Sequence, residues 1–539
     1  MFYVRLCRAL RRLPPRRHAV PKIVLLAALC VTAVSGCGGG GSAGSAASDP
    51  PAPSPAVNGP AWWGFGRDAQ HSALGAIATQ DLNRIAWSTP VDLAPRYTPR
   101  GELLIHYGSP VVTSHNTVIV AVKTGASGGF RLEARAGGNG VLIWSADTDY
   151  QLPPHAWVPS YSPALSAGNR LVTPGAGGKL LLRDNVDAAG VGFQTAVFYG
   201  VAAYAAAPAA FDAAIFINTP LTVDAQGTVF FGFIAIGANP AGLTSGLARV
   251  AADGSGRWVS AAAAADDAAI DKLAMNSAPA LSPDLRTVYV AVNTAATDAG
   301  VQRGYLLALD SSTLAVTGKA ALLDPGTGTP ARISDDASAS PTVGPDGEVF
   351  FGVLETTFGS HNGRGWLLHF DATLAATRVP GGFGWDDTAS VVPASMVASY
   401  TGPSSYLLAV KYNNYAGVGS GDGLNRIAVI DPNASQPDAV SGLPVMREVL
   451  SIIGPTFEAG SAGPVKEWCI NTMAVDPATK SILVNSEDGV LYRWSLATNS
   501  FTQRIRLTAG LGEAYTPTAI GADGAVYAIN NATLFSVGR

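Results

Sequence analysis

The sequence predicts an all-β chain folded as an eight-bladed β-propeller with four-stranded antiparallel blades. Three observations predict it: a Ser/Thr-Pro step or a near equivalent that recurs eight times, a hairpin signal that follows it, and a lone N-terminal strand that can complete the last repeat.

The step is Ser109-Pro110, Ser162-Pro163, Thr219-Pro220, Ala278-Pro279, Ser340-Pro341, Thr388-Ala389, Thr472-Met473 and Thr516-Pro517. From Pro110 to Pro517 the mean spacing is about 58 residues, longer than the roughly 40 to 50 of an ordinary blade, as long internal loops would make it. Proline suits the first position of a strand: its missing N–H costs no ladder bond there, and its fixed φ starts an extended run.

A tight turn soon follows most steps, at Ser114, Ala167, Asp224, Ser282, Pro345, Asp476 and Ala522, and a β-branched or aromatic run comes next, such as TVIVAV, TVFFGF or TVYVAV. A third strand recurs as FRLEARA, GLARVAA, YLLALDS and WLLHFDA, and the clearest units end on Trp144 or Trp258. A two-sheet sandwich or a string of immunoglobulin-like modules also has short strands, but the regular hairpin-plus-third-strand unit favours the propeller. The last unit stops after three strands. Asn83 to Leu93, carrying Trp87, is expected to supply its fourth and so remove two exposed edges.

Three regions follow along the chain. Residues 1–36 hold seven of the 35 basic residues and no acid, and their apolar run, Ile23 to Val34, is short for a membrane span but suits a signal-peptide core. Residues 37–60 form a Gly/Ser/Pro-rich tether with a reach of about 25 Å, and residues 61–539 form the propeller. The stretch Val34-Ser35-Gly36-Cys37 resembles the lipobox of bacterial lipoproteins. That resemblance implies a lipid on Cys37, a membrane as partner and a place in the cell envelope, with Gly38 directing the protein to the outer membrane of a Gram-negative host, facing the periplasm or the surface.

Without the signal, 28 basic residues stand against 39 acidic ones, a net charge of −11 that disfavours nucleic acid as a partner. Cys7 and Cys30 leave with the signal and Cys37 carries the lipid, so Cys469 is the one thiol of the folded part and no internal disulfide forms.

No catalytic or metal-ligating residue is assigned. Gly125 to Gly129 fits G-x-S-x-G but falls at a hairpin tip rather than on a strand–turn–helix elbow, and Gly39, Gly41 and Gly44 match a dinucleotide pattern only through linker composition. His71, His106, His115, His155, His361 and His369 have no metal-ligand pairing, and no calcium loop or haem-attachment motif is present.

Loops carry the candidate site. Tyr107, Tyr161, Asn218, Asn276, Ser338, Asp387, Asn471 and Tyr515 lie where the chain approaches each step, so they are expected to ring one mouth of the channel, with Trp157, Trp385 and Trp468 on its rim. Amides, phenols and a carboxylate around one opening suit a neutral polar ligand, such as a saccharide or a peptide segment.

The Gly-x-x-x-Trp endings, the stretch Leu306 to Lys319 and the stretch Trp62 to Trp87 together resemble the pyrroloquinoline-quinone-repeat family of eight-bladed propellers. One branch of that family, the quinoprotein dehydrogenases, would imply pyrroloquinoline quinone and calcium on the axis. The other, which includes the lipoprotein of the outer-membrane β-barrel assembly machinery, would imply no cofactor and a protein partner. The dehydrogenases show adjacent cysteines, and Cys469 has none beside it; their calcium carboxylates and catalytic aspartate match no position here. The expectation is a lipid-anchored binding or scaffolding module that holds an envelope protein or a polar small molecule. The alternatives are a quinone-dependent dehydrogenase, and a hydrolase or lyase acting on a polymer at the channel mouth.

Overall fold

The computed structural model describes residues 57–98, 101, 103, 107–154, 161–296, 301–458, 460, 462–510 and 515–539. The export signal, Cys37, most of the tether and Trp157 lie outside those residues. Eight antiparallel sheets stand in a ring, so the protein is an eight-bladed β-propeller. Blades 1 to 7 span residues 111–148, 164–197, 215–260, 270–321, 342–370, 390–453 and 474–506, and blade 8 joins 519–538 to the strand Arg84–Pro90.

Within a blade the chain runs from the axis outward. In blade 1 the order is Val111–Val112, Thr117–Lys123, Phe130–Ala136 and Leu142–Thr148. Second strands such as Thr117–Lys123 and Tyr406–Tyr412 are buried on both faces between neighbouring blades, which is why they read as unbroken apolar runs; the outer strand Ser500–Arg506 alternates between covered and exposed residues. Blade 5 has three regular strands. Residues 377 and 381 hold its fourth place through single bridges to Phe370 and Leu367, and Pro380 between them has no N–H to extend the ladder.

The recurring step has a physical reason in blade 3. The inner strand breaks there into Ile215–Ile217 and Thr222–Val223, both paired with Val229–Ala235. Across the break, the Thr219 hydroxyl accepts the Gly232 N–H at 2.8 Å. Elsewhere the same hydroxyl links blades: Ser162 Oγ accepts the Ser109 N–H at 3.0 Å, Ser340 Oγ the Ala278 N–H at 2.9 Å, and Thr388 Oγ1 the Ser340 N–H at 3.0 Å.

Closure follows the sequence expectation. Arg84–Pro90 pairs antiparallel with Thr533–Gly538, from Arg84 opposite Gly538 to Pro90 opposite Thr533. Its tryptophan, Trp87, packs over Tyr527 and donates Nε1–H to Gly137 O of blade 1 at 2.7 Å, as Trp144 of blade 1 donates to Val186 O of blade 2 at 2.6 Å.

The segment before the closing strand forms a floor. Inner strands turn a free edge to the axis, and residues 62–80 cover those edges in blade order. Val112 and Trp62 exchange bonds at 3.0 and 2.8 Å. Leu165 donates to Trp63 O at 2.7 Å, Leu281 to Ala69 O at 2.7 Å, Val343 to Gln70 O at 3.0 Å, Val391 to Ser72 O at 2.9 Å and Val475 to Ala73 O at 2.9 Å. Gln80 then donates to Gly524 O of blade 8 at 2.8 Å. One strap therefore ties seven blades, always near the second residue after the step in blades 1, 2 and 4 to 7.

The strap is tightly coiled where it crosses the axis. Gly66, Arg67, His71 and Ala73 have φ of +58°, +77°, +59° and +53°, and a Cβ on Gly66 would lie 2.9 Å from His71 Cα. His71 is fully buried, and its Nδ1–H donates to Pro341 O at 2.7 Å. Burial pushes its pKa down to about 4, so the ring is neutral at pH 7.

Candidate binding site at the propeller axis

Antiparallel blades put their two hairpin turns on one face, with the floor, and their long connections on the other. The residues that precede each step lie on the loop face. The strict register, two residues before the proline position, selects Gly108, Tyr161, Asn218, Ser277, Ala339, Asp387, Asn471 and Tyr515, because Ala280 opposite Tyr289 in blade 4 matches Val111 opposite Ile119 in blade 1. Asn276 and Ser338 sit one residue earlier in the chain.

Four of these register positions share a property. Asn218 Oδ1, Ser277 Oγ, Asp387 Oδ1 and Asn471 Oδ1 are all buried, and none has a hydrogen-bond partner among the described residues. Buried polar atoms are nearly always satisfied by protein, water or a bound group, so four orphans at equivalent places mark a polar interior that something else completes.

The structure brings part of the expected ring together. Asn471 Nδ2 donates to Ser338 O at 2.9 Å and to Ser338 Oγ at 2.7 Å, linking the approach to blade 7 with that to blade 5. Ser338 in turn donates from its N–H and hydroxyl to Asp386 Oδ1, and Thr388 donates its N–H to Asn471 O at 3.0 Å. On the far side Asn276 donates its N–H to Asn218 O at 3.0 Å, and Asn218 Nδ2 donates to Leu273 O at 3.0 Å.

Tyr107 and Tyr161 turn away into interfaces. Tyr107 donates to Asp92 Oδ2 at 2.9 Å beside the buried Lys123–Asp92 ion pair, and burial with the Asp92 charge raises its pKa far above the ordinary phenol value. Tyr161 stacks on Tyr150 with ring centres 4.5 Å apart and donates to Thr148 Oγ1 at 3.1 Å; burial raises it to about 12. Trp385 and Trp468 are buried under the loops with their Nε1 atoms unpartnered, so they are not exposed rim residues. The rim expectation of Trp157 falls outside the described residues.

Lys411 is the functional group that the loop-based reading missed. It is the last residue but one of the second strand of blade 6, Tyr406–Tyr412, and is 2% exposed. Its ammonium lies 5.5 Å from the Tyr515 ring centre and 5.9 Å from that of Phe383, and among the described residues it makes no side-chain hydrogen bond or ion pair within 4 Å. Its backbone N–H donates to Asp387 Oδ2 at 3.2 Å. Burial pushes Asp387 up to about 8, against the opposing pull of Lys411 and the added push of Asp386. The available signal was a lysine placed inside the apolar run YLLAVKY.

Behind this group lies a second cluster. Glu467, Cys469 and Glu487 are buried with one potential ligand atom each within 4.8 Å of the others, and Cys469 Sγ donates to Glu487 Oε2 at 3.3 Å. Spacing in the sequence gave no sign of it, because Glu487 comes from a hairpin turn and the other two from the loop before blade 7.

Comparison with known proteins sets this geometry in context. No protein-family model and no curated protein matches the sequence. Among solved structures, the europium-containing methanol dehydrogenase aligns over 87% of this chain and 89% of its own at TM-score 0.51 and 10% identity. The quinohemoprotein alcohol dehydrogenase from Comamonas testosteroni aligns over 90% and 82% at TM-score 0.51 and 12% identity. At that identity the likeness shows the fold alone, an eight-bladed β-propeller. BamB from Moraxella catarrhalis also aligns, over 84% of this chain and 100% of its own, at TM-score 0.39 and 13% identity.

A shared propeller does not bring its cofactor. Pyrroloquinoline quinone is a flat tricarboxylate, whereas the cation found beside the Tyr515 ring and the Asp387 carboxyl is the single Lys411, a poor match for three carboxylates. Cys469 points its thiol at Glu487 and has no cysteine beside it to make a disulfide platform.

Proposed function

We propose that this chain is a binding module of the cell envelope, held to a membrane by lipid on Cys37 and taking a polar ligand or a partner's polar segment at the loop-side mouth of the propeller. The observation that carries the reading is the set of register-equivalent buried oxygens of Asn218, Ser277, Asp387 and Asn471 that no described residue satisfies. The floor supports it, since residues 62–80 cover the turn-side end of the axis. Small-molecule sites commonly present a few convergent polar groups of this kind. An envelope protein docking a polar loop into the same mouth is the scaffolding form of this function.

The test uses purified mature protein and a thermal-shift panel of saccharides, small acids and peptides, repeated with Asn218→Ala, Asp387→Ala and Trp385→Ala. A ligand whose affinity falls with Asp387→Ala supports the mouth. A ligand whose affinity changes by no more than about twofold, some 0.4 kcal/mol, in all three variants places binding elsewhere. Reduction of an electron-acceptor dye with alcohols, after loading with pyrroloquinoline quinone and Ca²⁺, would instead establish the dehydrogenase reading.

A further inference from the structure

The polar residues of the second strands come in a matched set. Relative to the inner strand, Lys411 in blade 6 occupies the register of Asn485 in blade 7 and Asn530 in blade 8: Ser390 opposes Ala409 and Ala474 opposes Leu483, each two residues before. In blade 8 the same alignment follows from Ala519 opposite Tyr527. The corresponding residues of blades 1 to 5 are Ala121, Pro174, Phe233, Ala291 and Gly352, so polarity at this level belongs to three successive blades.

Both asparagines are satisfied by protein. Asn485 Nδ2 donates to Ile529 O at 2.7 Å, and Asn530 Nδ2 donates to Ser486 O at 2.9 Å and Asn485 Oδ1 at 3.2 Å. Lys411 has three ammonium hydrogens, two aromatic faces and no acceptor among the described residues. On a side chain only 2% exposed, an ammonium with no protein acceptor is left for water or a bound anion to satisfy, and ring faces replace only part of its hydration. Two atoms without partners, Asp387 Oδ1 and Asn471 Oδ1, belong to adjoining residues of the same mouth: the Lys411 N–H donates to Asp387 Oδ2 at 3.2 Å, and the Thr388 N–H to Asn471 O at 3.0 Å.

Resting on the axial reading above, we propose that the mouth binds a small organic monocarboxylate bearing a hydroxyl or amino group on the adjacent carbon. Its carboxylate meets the Lys411 ammonium, and its donor group meets the side-chain oxygens of Asn471 and Asp387. Tyr515 and Phe383 flank the ammonium, so they screen the pair from water and favour a compact ligand over an extended one. A neutral saccharide supplies donors to the oxygens but no charge to the lysine; a multiply charged acid brings charge that a single lysine beside Asp386 and Asp387 does not match.

The experiment measures binding to the full mature chain by calorimetry and thermal shift, with lactate, glycerate and alanine as probes, acetate as carboxylate alone, and glycerol and glucose as hydroxyls alone. The expected order is lactate, glycerate or alanine above acetate, with glycerol and glucose weakest. Lys411→Met, close in shape, should weaken the best acid by about tenfold or more while the variant still melts cooperatively, and Lys411→Arg should restore part of it. If Lys411→Met does not fold, chemical-shift titration of the lysine ammonium in the unaltered protein gives the same answer, since lactate must move it. Absence of any shift with the acids overturns the inference. Glucose binding that survives Lys411→Met overturns it too, yet leaves the axial site standing; loss of glucose binding in Asp387→Ala would show the same.

Discussion

Trp87 Nε1 donates to Gly137 O at 2.7 Å, and through that bond the strand that completes blade 8 is fastened to blade 1. The closure of the ring thus uses a side chain as well as a ladder. Trp87→Ala removes a buried indole and its bond and is expected to destabilise by about 3 to 5 kcal/mol. Trp87→Phe keeps most of the packing and should cost about 1 to 2 kcal/mol. Urea unfolding followed by tryptophan fluorescence and by circular dichroism distinguishes the two; equal stability of Trp87→Ala and the unaltered protein would refute the fastening role.

The floor makes its own prediction. A chain lacking residues 57–75 but keeping Arg84–Pro90 retains all eight blades and loses the acceptors of Val112, Leu165, Leu281, Val343, Val391 and Val475. Those six amides should exchange with deuterium far faster than second-strand amides, and the melting temperature should fall. Trimming residues 40–56 should change neither.

Within the floor, Gly66 is held both by its positive φ and by a close backbone neighbour. Its φ of +58° and the 2.9 Å approach of a Cβ to His71 Cα mean that Gly66→Ala forces the strap to shift, at a cost of about 1 to 3 kcal/mol. Gly168, where a Cβ meets nothing within 4 Å, is the control: Gly168→Ala has only its own positive φ to oppose it.

Asp387 should give the protein an inverted acid dependence. Its folded-state pKa is raised from 3.8 to about 8, chiefly by burial, with Lys411 opposing and Asp386 adding. Below about pH 4 both folded and unfolded chains hold the proton; between about pH 4 and pH 8 the unfolded chain releases it and the folded chain keeps it, so this group lowers stability as pH rises, by at most about 1.4 kcal/mol per unit. Asp387→Asn should remove that slope. Its stability relative to the unaltered protein should therefore climb from pH 5 to pH 8, as read by denaturant midpoints at matched ionic strength; a difference that stays flat with pH would show that Asp387 titrates normally.

The anchor is tested apart from the fold. Cys37→Ala should abolish metabolic labelling by palmitate and leave an uncleaved precursor, while the melting of the propeller stays unchanged. Labelling that persists would assign the lipid elsewhere.

The blades were legible because their cause is local. Proline at the strand start, a turn residue a few positions on and a β-branched run after it each leave a mark in the sequence, and the eight marks correspond to eight sheets. Trp87 could be placed for the same reason, since it repeats the pattern of Trp144. The candidate site was legible only in part. Asn218, Asp387 and Asn471 follow from the step, but the loop before blade 4 carries Asn276 and Ser277 side by side, and strand register confirms that Ser277, two residues before Pro279, holds the equivalent place.

What the sequence by itself determined, then, is the repeat, its hairpins and the strand that closes the ring, because turn chemistry and side-chain alternation act over a few residues. Only the tertiary structure decided the floor and the charged centre of the mouth. The floor is made of backbone carbonyls of Trp63, Ala69, Gln70, Ser72 and Ala73 meeting backbone N–H groups hundreds of residues away in most blades, and such bonds are indifferent to side-chain identity. Lys411, Asp387, Asn471 and Tyr515 come from three successive blades, and their meeting depends on how the ring closes, a relation that no local pattern in the chain records.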